Sequence, residues 1–253
     1  MGRGAQRLHL VGRRLVQVAP VRQCCRSVDA DRVAVATADP ASSASLRAVD
    51  GRVPGQRGRA TRQRLLASTS ELLESTAYRD LKVVDIARAA GTSPATFYQY
   101  FPDIEAALLA LAHDLADTGG RELRDLVEQG EWSPPHAYTT AQRVAEGYLA
   151  LWEQHRALIG VIDLATLEGD SRFRELRTEL LSGASDALQR TIVGAVDAGW
   201  LPSDTDPRAL SGVLVSMLAH VAAHRRGMSG HGMDATHLRD ALARILAWSV
   251  AAV

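Results

Sequence analysis

The sequence predicts an all-α fold, and three observations support this class. From Gly58 onward, apolar residues recur at intervals of three and four, which places them on one face of a helix. Serine, proline and glycine stand where these helices should begin and end. With 253 residues, of which 46% are apolar and 23% charged, the chain can build a substantial core, and a collagen-like or wholly disordered chain is excluded.

Several classes of function are disfavoured by composition. Cys24 and Cys25 are adjacent, so neither a disulfide framework nor a four-cysteine zinc site is available. No apolar run reaches the roughly 18 residues that a membrane span requires. We find no Gly-Lys-Ser/Thr phosphate loop, no Gly-x-Ser-x-Gly elbow and no His-Glu-x-x-His motif. We therefore predict a soluble cytoplasmic protein that is not an enzyme and holds no cofactor or metal.

Three helices are predicted at the start of the body. The first covers Arg59–Ser75, where leucines at 3-4 spacing form one apolar stripe. The second covers Val83–Ala90, and Gly91 follows it where a left-handed C-terminal cap needs a residue without Cβ. The third covers Pro94–Tyr100. Since short helices two and three are joined by a three-residue turn that begins with glycine, we predict a helix-turn-helix.

The third helix is expected to begin at its cap and to end before Pro102. Ser93 is a favoured N-cap residue, and Pro94 suits the first helical position because its missing N–H has no partner there. Four aromatic residues lie within residues 97–101. At 100° per residue, Phe97 and Phe101 share one face and are predicted to be core, with Tyr100 at its border.

The opposite face of the third helix has the chemistry of a DNA-reading surface. Ala95 and Gln99 lie nearly opposite Phe97, and Thr96 and Tyr98 flank them. In a major groove, Gln99 can pair with adenine and Ala95 can touch a thymine methyl group. The two hydroxyl groups can reach phosphates.

The stretch from Gly58 to about Leu115 resembles the N-terminal DNA-binding domain of the TetR/AcrR transcriptional regulators. The similarity rests on Arg-Ala-Thr-Arg-Gln-Arg-Leu-Leu in the first helix, Val-Val-Asp-Ile-Ala-Arg-Ala-Ala-Gly-Thr-Ser in the second helix and turn, and Pro-Ala-Thr-Phe-Tyr-Gln-Tyr-Phe in the third. It implies a homodimer that binds a palindromic operator, usually as a repressor, until a small ligand releases it. The implied organisation is a helix-turn-helix DNA-binding domain at 58–104 and a larger helical ligand-binding and dimerisation domain at 105–253.

The resemblance also implies which residues face DNA, mainly in the turn and the third helix, with help from the first helix. Two positions depart from the family pattern: Lys82 replaces a Ser or Thr that caps the second helix in many members, and Ile104 replaces a lysine. Lys82 therefore provides a positive charge where many members have a hydrogen-bonding N-cap side chain. The full set is Arg59, Thr61, Arg62, Lys82, Thr92, Pro94, Ala95, Thr96, Tyr98, Gln99 and Tyr100.

A basic extension precedes this body. Residues 1–57 carry ten arginines and four aspartates although the whole chain is neutral, and their prolines and Gly/Arg repeats predict a mostly disordered segment. Three interpretations stay open. We favour a solvated tail with weak attraction for polyanions; alternatively, Arg52–Arg62 contacts DNA, or the residues before about Val53 come from an over-extended reading frame. No acidic residue precedes Asp29, as in a transit peptide, but the bacterial character of the body argues against one.

Seven further helices are predicted, separated by Gly119-Gly120, Ser133-Pro134-Pro135, Gly169-Asp170, Leu201-Pro202 and residues 227–232. The predicted ranges are 103–118, 120–130, 137–155, 157–168, 171–199, 206–226 and 235–252. The last two are apolar around much of their circumference, which favours a four-helix interface with a second subunit. The alternative is a buried helical pair within one subunit.

Helices 137–199 are predicted to enclose a ligand site, with two further residues from the next helix. Apolar residues dominate the set, so a small hydrophobic effector is expected, although many of these side chains could be ordinary core. His220 and His224 have a spacing that can hold a metal, but we favour a polar helix edge. The candidate ligand-binding residues are Tyr148, Trp152, Ile159, Ile162, Leu167, Phe173, Met217 and His220.

We therefore predict a ligand-responsive DNA-binding regulator, most readily a repressor. The alternative is a helical small-molecule or metal-binding protein whose DNA-binding end is vestigial. A mobility-shift assay with the promoter beside its own gene separates the two hypotheses.

Overall fold

The computed structural model describes residues 55–252, and this range is all-α as predicted, with no strand. The basic extension before Gly55, including Arg52 and both cysteines, lies outside the described residues. A short 3₁₀ helix at Tyr78–Asp80 follows the first α helix. The α helices are α1 Gln56–Leu73, α2 Val83–Ala89, α3 Pro94–Tyr100, α4 Ile104–Glu128, α5 Ala137–Gln154, α6 Arg156–Leu167, α7 Ser171–Asp197, α8 Pro207–Ser229 and α9 Ala235–Ala251.

Helix α1 begins earlier than predicted. Gly55 is its N-cap residue, so Gln56 and Arg57 are helical although the sequence pattern assigned them to the extension. Gly58 lies in the first turn of α1 and does not interrupt the helix. The hydroxyl of Thr61 donates to the carbonyl oxygen of Arg57 (3.1 Å), which ties the first turn to the second.

Aspartates start several of the later helices. Asp103 Oδ1 accepts a hydrogen bond from the backbone N–H of Ala106 at 2.7 Å, and Asp170, Asp206 and Asp234 cap α7, α8 and α9 in the same manner. A carboxylate here satisfies otherwise unpaired N–H groups and interacts favourably with the helix dipole. These caps explain why the starts of α4, α7, α8 and α9 lie within about two residues of the predicted positions.

The predicted break at Gly119-Gly120 is wrong, because α4 runs uninterrupted through both glycines. Both residues are buried where α4 packs along α7, the most extensive helix pair in residues 55–252. A Cβ on Gly120 would lie 3.4 Å from the carbonyl oxygen of Leu180, and one on Gly183 would lie 3.4 Å from the carbonyl oxygen of Gly120. The glycines therefore permit close helix packing instead of ending a helix.

This packing makes Gly119→Leu destabilising. A Cβ at Gly119 would already stand 3.1–3.3 Å from the methyl carbons of Leu115, Leu151 and Leu180. We expect the larger side chain to lower the free energy of unfolding by about 3 kcal/mol, measured by chemical denaturation. Gly160→Leu is the matched control, because Gly160 lies within α6 with nothing within 4 Å of its Cβ position. There stability should stay constant or rise by up to about 1 kcal/mol. Equal losses at both sites would contradict the packing argument.

Two apolar clusters organise the described residues. The smaller cluster joins α1, α2 and α3 to the first turns of α4. The larger one occupies the body from α4 to α9 and also includes Leu73 at the end of α1 and Leu81 after the 3₁₀ helix. Helix α4 contributes Ala107 to the first cluster and Leu108 to the second. The helix therefore connects the two packed regions, while the domain boundary at 104/105 stays a prediction. None of the helices in residues 55–252 is long and apolar enough to cross a membrane.

Candidate functional site

The turn between α2 and α3 has the geometry that its sequence predicts. Gly91 adopts φ +65°, in the left-handed region that favours glycine. Its N–H donates to Arg88 O at 3.1 Å, and the N–H of Thr92 donates to Ala87 O at 2.9 Å, which together form a Schellman C-cap. Ser93 Oγ then accepts from the N–H of Thr96 at 3.2 Å and starts α3. The two caps end α2 and start α3 within a turn of three residues.

Helix α3 has one buried face and one open face. Phe97 is fully buried and Phe101 nearly so, and their rings lie 5.6 Å apart. Tyr98, by contrast, is 52% exposed, with its ring edge-to-face against Phe97. The predicted division of the aromatic residues between core and surface is therefore confirmed.

The predicted DNA-facing residues fall into three groups by exposure. Most are open to solvent: Arg59, Lys82, Pro94, Ala95, Tyr98 and Gln99. Another four are half-buried: Thr61, Thr92, Thr96 and Tyr100. The hydroxyl of Thr96 lies 3.0 Å from Ser93 Oγ, so it takes part in the cap of its own helix.

Arg62 departs from the prediction that it faces DNA. It is only 8% exposed, and its guanidinium lies over the ring of Phe101 at 5.1 Å from the centroid. Burial lowers the pKa of Arg62, and the charge of Asp114 opposes that change. Burial likewise raises the pKa of Asp114. Arg62 therefore supports α3 from behind, and its long apolar stem makes that burial possible.

Lys82 occupies the N-cap position of α2, where its side chain makes no capping hydrogen bond. The side chain is exposed. Ile104 at the start of α4 is half-buried and packs against both apolar clusters. The two departures from the family pattern thus place an exposed cation at the start of α2 and an apolar contact at the junction with the body.

A groove of about 830 Å³ lies between α6, α7 and α8. Of the predicted ligand-binding residues, Leu167 and His220 line it. Leu167 is also 85% exposed, the largest value among the exposed large apolar side chains of residues 55–252. A second cleft of about 950 Å³ lies among the end of α1, the 3₁₀ helix, α6 and the end of α8, and Trp152, Ile159 and Leu167 contribute to it.

The remaining predicted ligand-binding residues belong to the packed body. Tyr148, Ile162 and Phe173 are buried in the larger cluster, and Met217 is half-buried against it. Tyr148 and Trp152 stack with ring centroids 5.9 Å apart. Burial raises the pKa of the Tyr148 hydroxyl strongly, and the positive charge of Arg177 opposes that change.

Sequence reasoning missed the charged residues of the groove. Arg177 donates from Nε to Asp163 Oδ1 at 2.7 Å, and both side chains line the groove together with Thr166. The sequence contains a clue to this pair. Arg177 lies four residues after Phe173, so it falls on the apolar stripe of α7, where a charged residue is unexpected. A charged residue at such a position is more informative than the apolar residues around it.

Helix α6 is tied at both ends to the helix-turn-helix region. Arg156, its first residue, pairs with Glu74 of the α1 C-cap at 3.3 Å, and Glu168, its C-cap, pairs with Arg79 of the 3₁₀ helix. Because these pairs are solvent-exposed, each contributes little to the free energy of unfolding. Helix α6 also carries Asp163, so it links the groove to the first three helices.

The last two helices expose apolar side chains on the faces opposite their buried stripes. Val213 of α8 is 64% exposed, and Ile245 and Trp248 of α9 are 41% and 57% exposed. Large apolar side chains in such positions are typical of a surface that another chain covers.

The two histidines of α8, His220 and His224, lie close together. Their rings stack 4.2 Å apart, and His224 Nδ1 lies 2.9 Å from the carbonyl oxygen of His220. Among residues 55–252, no group of three or more His, Cys, Asp or Glu side chains could hold a metal ion.

A capped helix-turn-helix with an open recognition face, followed by a helical body with a groove, defines a class of DNA-binding regulators. The chain belongs to the TetR family. The model "Bacterial regulatory proteins, tetR family" matches residues 65–111, and "Tetracyclin repressor-like, C-terminal domain" matches residues 123–252, half of the chain.

Transcriptional regulators called EthR are similar to parts of the chain. The HTH-type transcriptional regulator EthR of Mycolicibacterium smegmatis is 45% identical over 143 residues, which are 56% of this chain and 64% of that protein. EthR of Mycobacterium tuberculosis is 41% identical over 64 residues, 25% of this chain and 30% of that protein. The matches therefore span less than two thirds of these relatives.

Solved structures share the fold over most of the chain. A fatty acid degradation regulator FadR from Bacillus halodurans superposes with a TM-score of 0.59 at 17% identity, covering 78% of this chain and 97% of that one. FadR from Bacillus subtilis, solved in complex with stearoyl-CoA, gives 0.56 at 17% identity, covering 76% and 98%. At these identities the likeness concerns the fold alone.

Proposed function

We propose that this protein is a dimeric transcriptional repressor that binds a palindromic operator through α3 and is released by a small hydrophobic effector, acting in the cytoplasm where its DNA lies. The observation that carries the proposal is the division of α3: Phe97 and Phe101 anchor it, while Tyr98 and Gln99 stand open. A helix held from behind in this way can enter a major groove as a rigid body.

The open residues have separable roles in this proposal. Gln99 reads a base edge, because its amide can both donate to and accept from adenine. Tyr98 donates its hydroxyl to a phosphate, and Lys82 and Arg59 neutralise phosphates on either side. Ala95 is small enough to let the helix approach a thymine methyl group.

Release follows from the position of α6. An effector in the groove contacts α6, whose two ends are ion-paired with the helix-turn-helix region. In a dimer, the two recognition helices must lie about 34 Å apart to enter successive major grooves. An effector that binds better to a dimer with another spacing shifts the population away from DNA.

The test is a footprinting and mobility-shift experiment with the promoter beside the protein's own gene. Gln99→Ala and Tyr98→Phe should each weaken the specific complex by about tenfold, with the Gln99 change also relaxing the preference at one base pair. Gln129→Ala, an exposed glutamine at the end of α4, is the matched control and should leave binding unchanged. Unchanged binding in the Gln99 and Tyr98 variants would remove α3 as the reading element.

Lys82→Ser should make the protein more stable and a weaker DNA binder at the same time. A serine at this N-cap can accept a hydrogen bond from the first turn of α2, which contributes about 1 kcal/mol to the free energy of unfolding. Loss of one phosphate contact should reduce the slope of log K against log salt by about 0.9. Thermal unfolding and salt-dependent DNA titrations measure the two effects.

Lys82→Gln separates the charge from the cap. It removes the cation but is a poor capping residue, so affinity and salt slope should fall without any gain in stability. A salt slope that stays at the wild-type value in both variants would show that Lys82 does not contact a phosphate.

A further inference from the structure

Four buried polar atoms without hydrogen-bond partners lie on helices α5, α6 and α7, and two of their residues, Thr166 and Arg177, line the groove. They are the hydroxyl of Tyr148 and the indole N–H of Trp152 on α5, the hydroxyl of Thr166 on α6 and Nη1 of Arg177 on α7. Leaving such atoms unpaired in a protein interior costs free energy, so native structures rarely keep several together. We refer to these four residues as the donor cluster.

Three members of the donor cluster are in direct contact. The guanidinium of Arg177 lies over the ring of Trp152 at 5.4 Å from its centroid, and Trp152 stacks on Tyr148. Arg177 also pairs with Asp163, one turn before Thr166 on α6. Arg177 and Thr166 line the groove, Trp152 lines the second cleft, and Asp163 and Leu167 line both. Three members therefore line one opening or the other, and Tyr148 lies in the core behind Trp152.

The chemistry of the donor cluster favours a ligand group that accepts hydrogen bonds. An indole N–H and a guanidinium can only donate, and the two hydroxyl groups can also donate. The charge of Arg177 is already balanced by Asp163 at 2.7 Å. A bound anion would be repelled by the carboxylate of Asp163. A neutral carbonyl oxygen can accept hydrogen bonds from the donors without this repulsion.

We propose that the effector site recognises an uncharged molecule with a carbonyl head and an apolar body: the carbonyl oxygen accepts hydrogen bonds from the donor cluster, and the body lies in the groove. This inference rests on the proposed effector function and specifies the chemical class that the site takes. The volume of about 830 Å³ is within the range of sites for small ligands.

The first experiment compares three probes of equal chain length on the full chain without DNA: 2-decanone, decanoate and decylammonium. Binding is followed by the NMR resonance of the Trp152 indole N–H, assigned with Trp152→Phe. 2-Decanone should bind at least tenfold more tightly than decanoate or decylammonium and move that resonance downfield. Equal binding of the three probes, no binding of the ketone, or an unmoved indole resonance each overturns the proposal.

Two variants test the cluster itself. Tyr148→Phe should leave the melting temperature of the free protein at or above the wild-type value, because the lost hydroxyl has no partner there, and should weaken 2-decanone binding about fivefold. A lower melting temperature with unchanged ketone binding would show a purely structural hydroxyl and overturn the proposal.

Asp163→Asn tests the charge argument. Removal of the carboxylate leaves Arg177 uncompensated, so decanoate should gain about tenfold in affinity while 2-decanone changes little. Asp186→Asn, on the rim of the same groove, is the matched control and should not change the ratio of the two affinities. An unchanged ratio in Asp163→Asn overturns the proposal.

These assays measure probe binding in the absence of DNA, so their outcome is independent of operator binding. A protein that binds the ketone as described but shows no specific operator would keep the donor cluster and lose the proposed regulator function. A protein that binds its operator but fails the probe series would lose only the inference about the effector.

Discussion

Replacement of Phe97 with alanine is expected to unfold the helix-turn-helix region while the larger body stays folded. Phe97 is fully buried in a cluster of seven buried residues from α1 to α4. Truncation of a buried phenylalanine costs about 3–5 kcal/mol. A cluster this small has few neighbours that can relax into the cavity, so we expect the upper part of that range.

Hydrogen exchange resolved by region measures this effect. In Phe97→Ala, amides of α1, α2 and α3 should lose most of their protection, whereas those of α5, α7 and α9 should keep it, because they belong to the other cluster. Specific DNA binding should disappear with the protection of α3.

The adjacent residue is the control. Tyr98→Ala removes an aromatic ring of similar size from the exposed face of the same helix, where only its edge contact with Phe97 is lost. Its free energy of unfolding should fall by at most about 1 kcal/mol, while DNA affinity falls as well. If Phe97→Ala kept native protection in α1–α3, the view that this phenylalanine anchors the reading helix would be wrong.

Elements defined by local chemistry could be predicted from the sequence. The bounds of α3 match the prediction because Ser93, Pro94 and Gly91 each act on backbone groups within a few residues. The burial of Phe97 and the exposure of Tyr98 follow from helical geometry alone.

Features that depend on contacts between distant helices could not be predicted in this way. A Gly-Gly pair such as Gly119-Gly120 is typical of a helix break. Only the close approach of α7 explains why α4 continues through both residues. Arginine is usually a surface residue, and only the position of Arg62 over the ring of Phe101 explains its burial. In both cases tertiary packing overrides the local preference of the residue.

The proposed effector site shows the same limit. Of the predicted ligand-binding residues, Leu167 and His220 line the groove, while most of the others fill the core, because periodicity cannot separate a cavity wall from an interior. Arg177 was not predicted, although a half-buried arginine on an apolar stripe needs a specific partner such as Asp163.

A double substitution on the last two helices is expected to have the largest effect on DNA binding without unfolding the protein. Val213 and Trp248 are 64% and 57% exposed on α8 and α9, so glutamate at these positions is hydrated in the monomer. In a dimer that covers these faces, the same charges would be buried without partners. We therefore expect Val213→Glu combined with Trp248→Glu to produce a folded monomer.

Loss of the dimer should weaken operator binding by at least about 100-fold, because the second half-site is then no longer bound by a linked subunit. Light scattering gives the oligomeric state, circular dichroism checks the fold, and DNA titration gives the affinity. Val213→Ile with Trp248→Phe keeps both faces apolar and should remain dimeric with wild-type affinity. A glutamate variant that stays dimeric would place the subunit contact elsewhere on the body, because two buried, unpaired carboxylates per subunit are incompatible with an interface formed by these side chains.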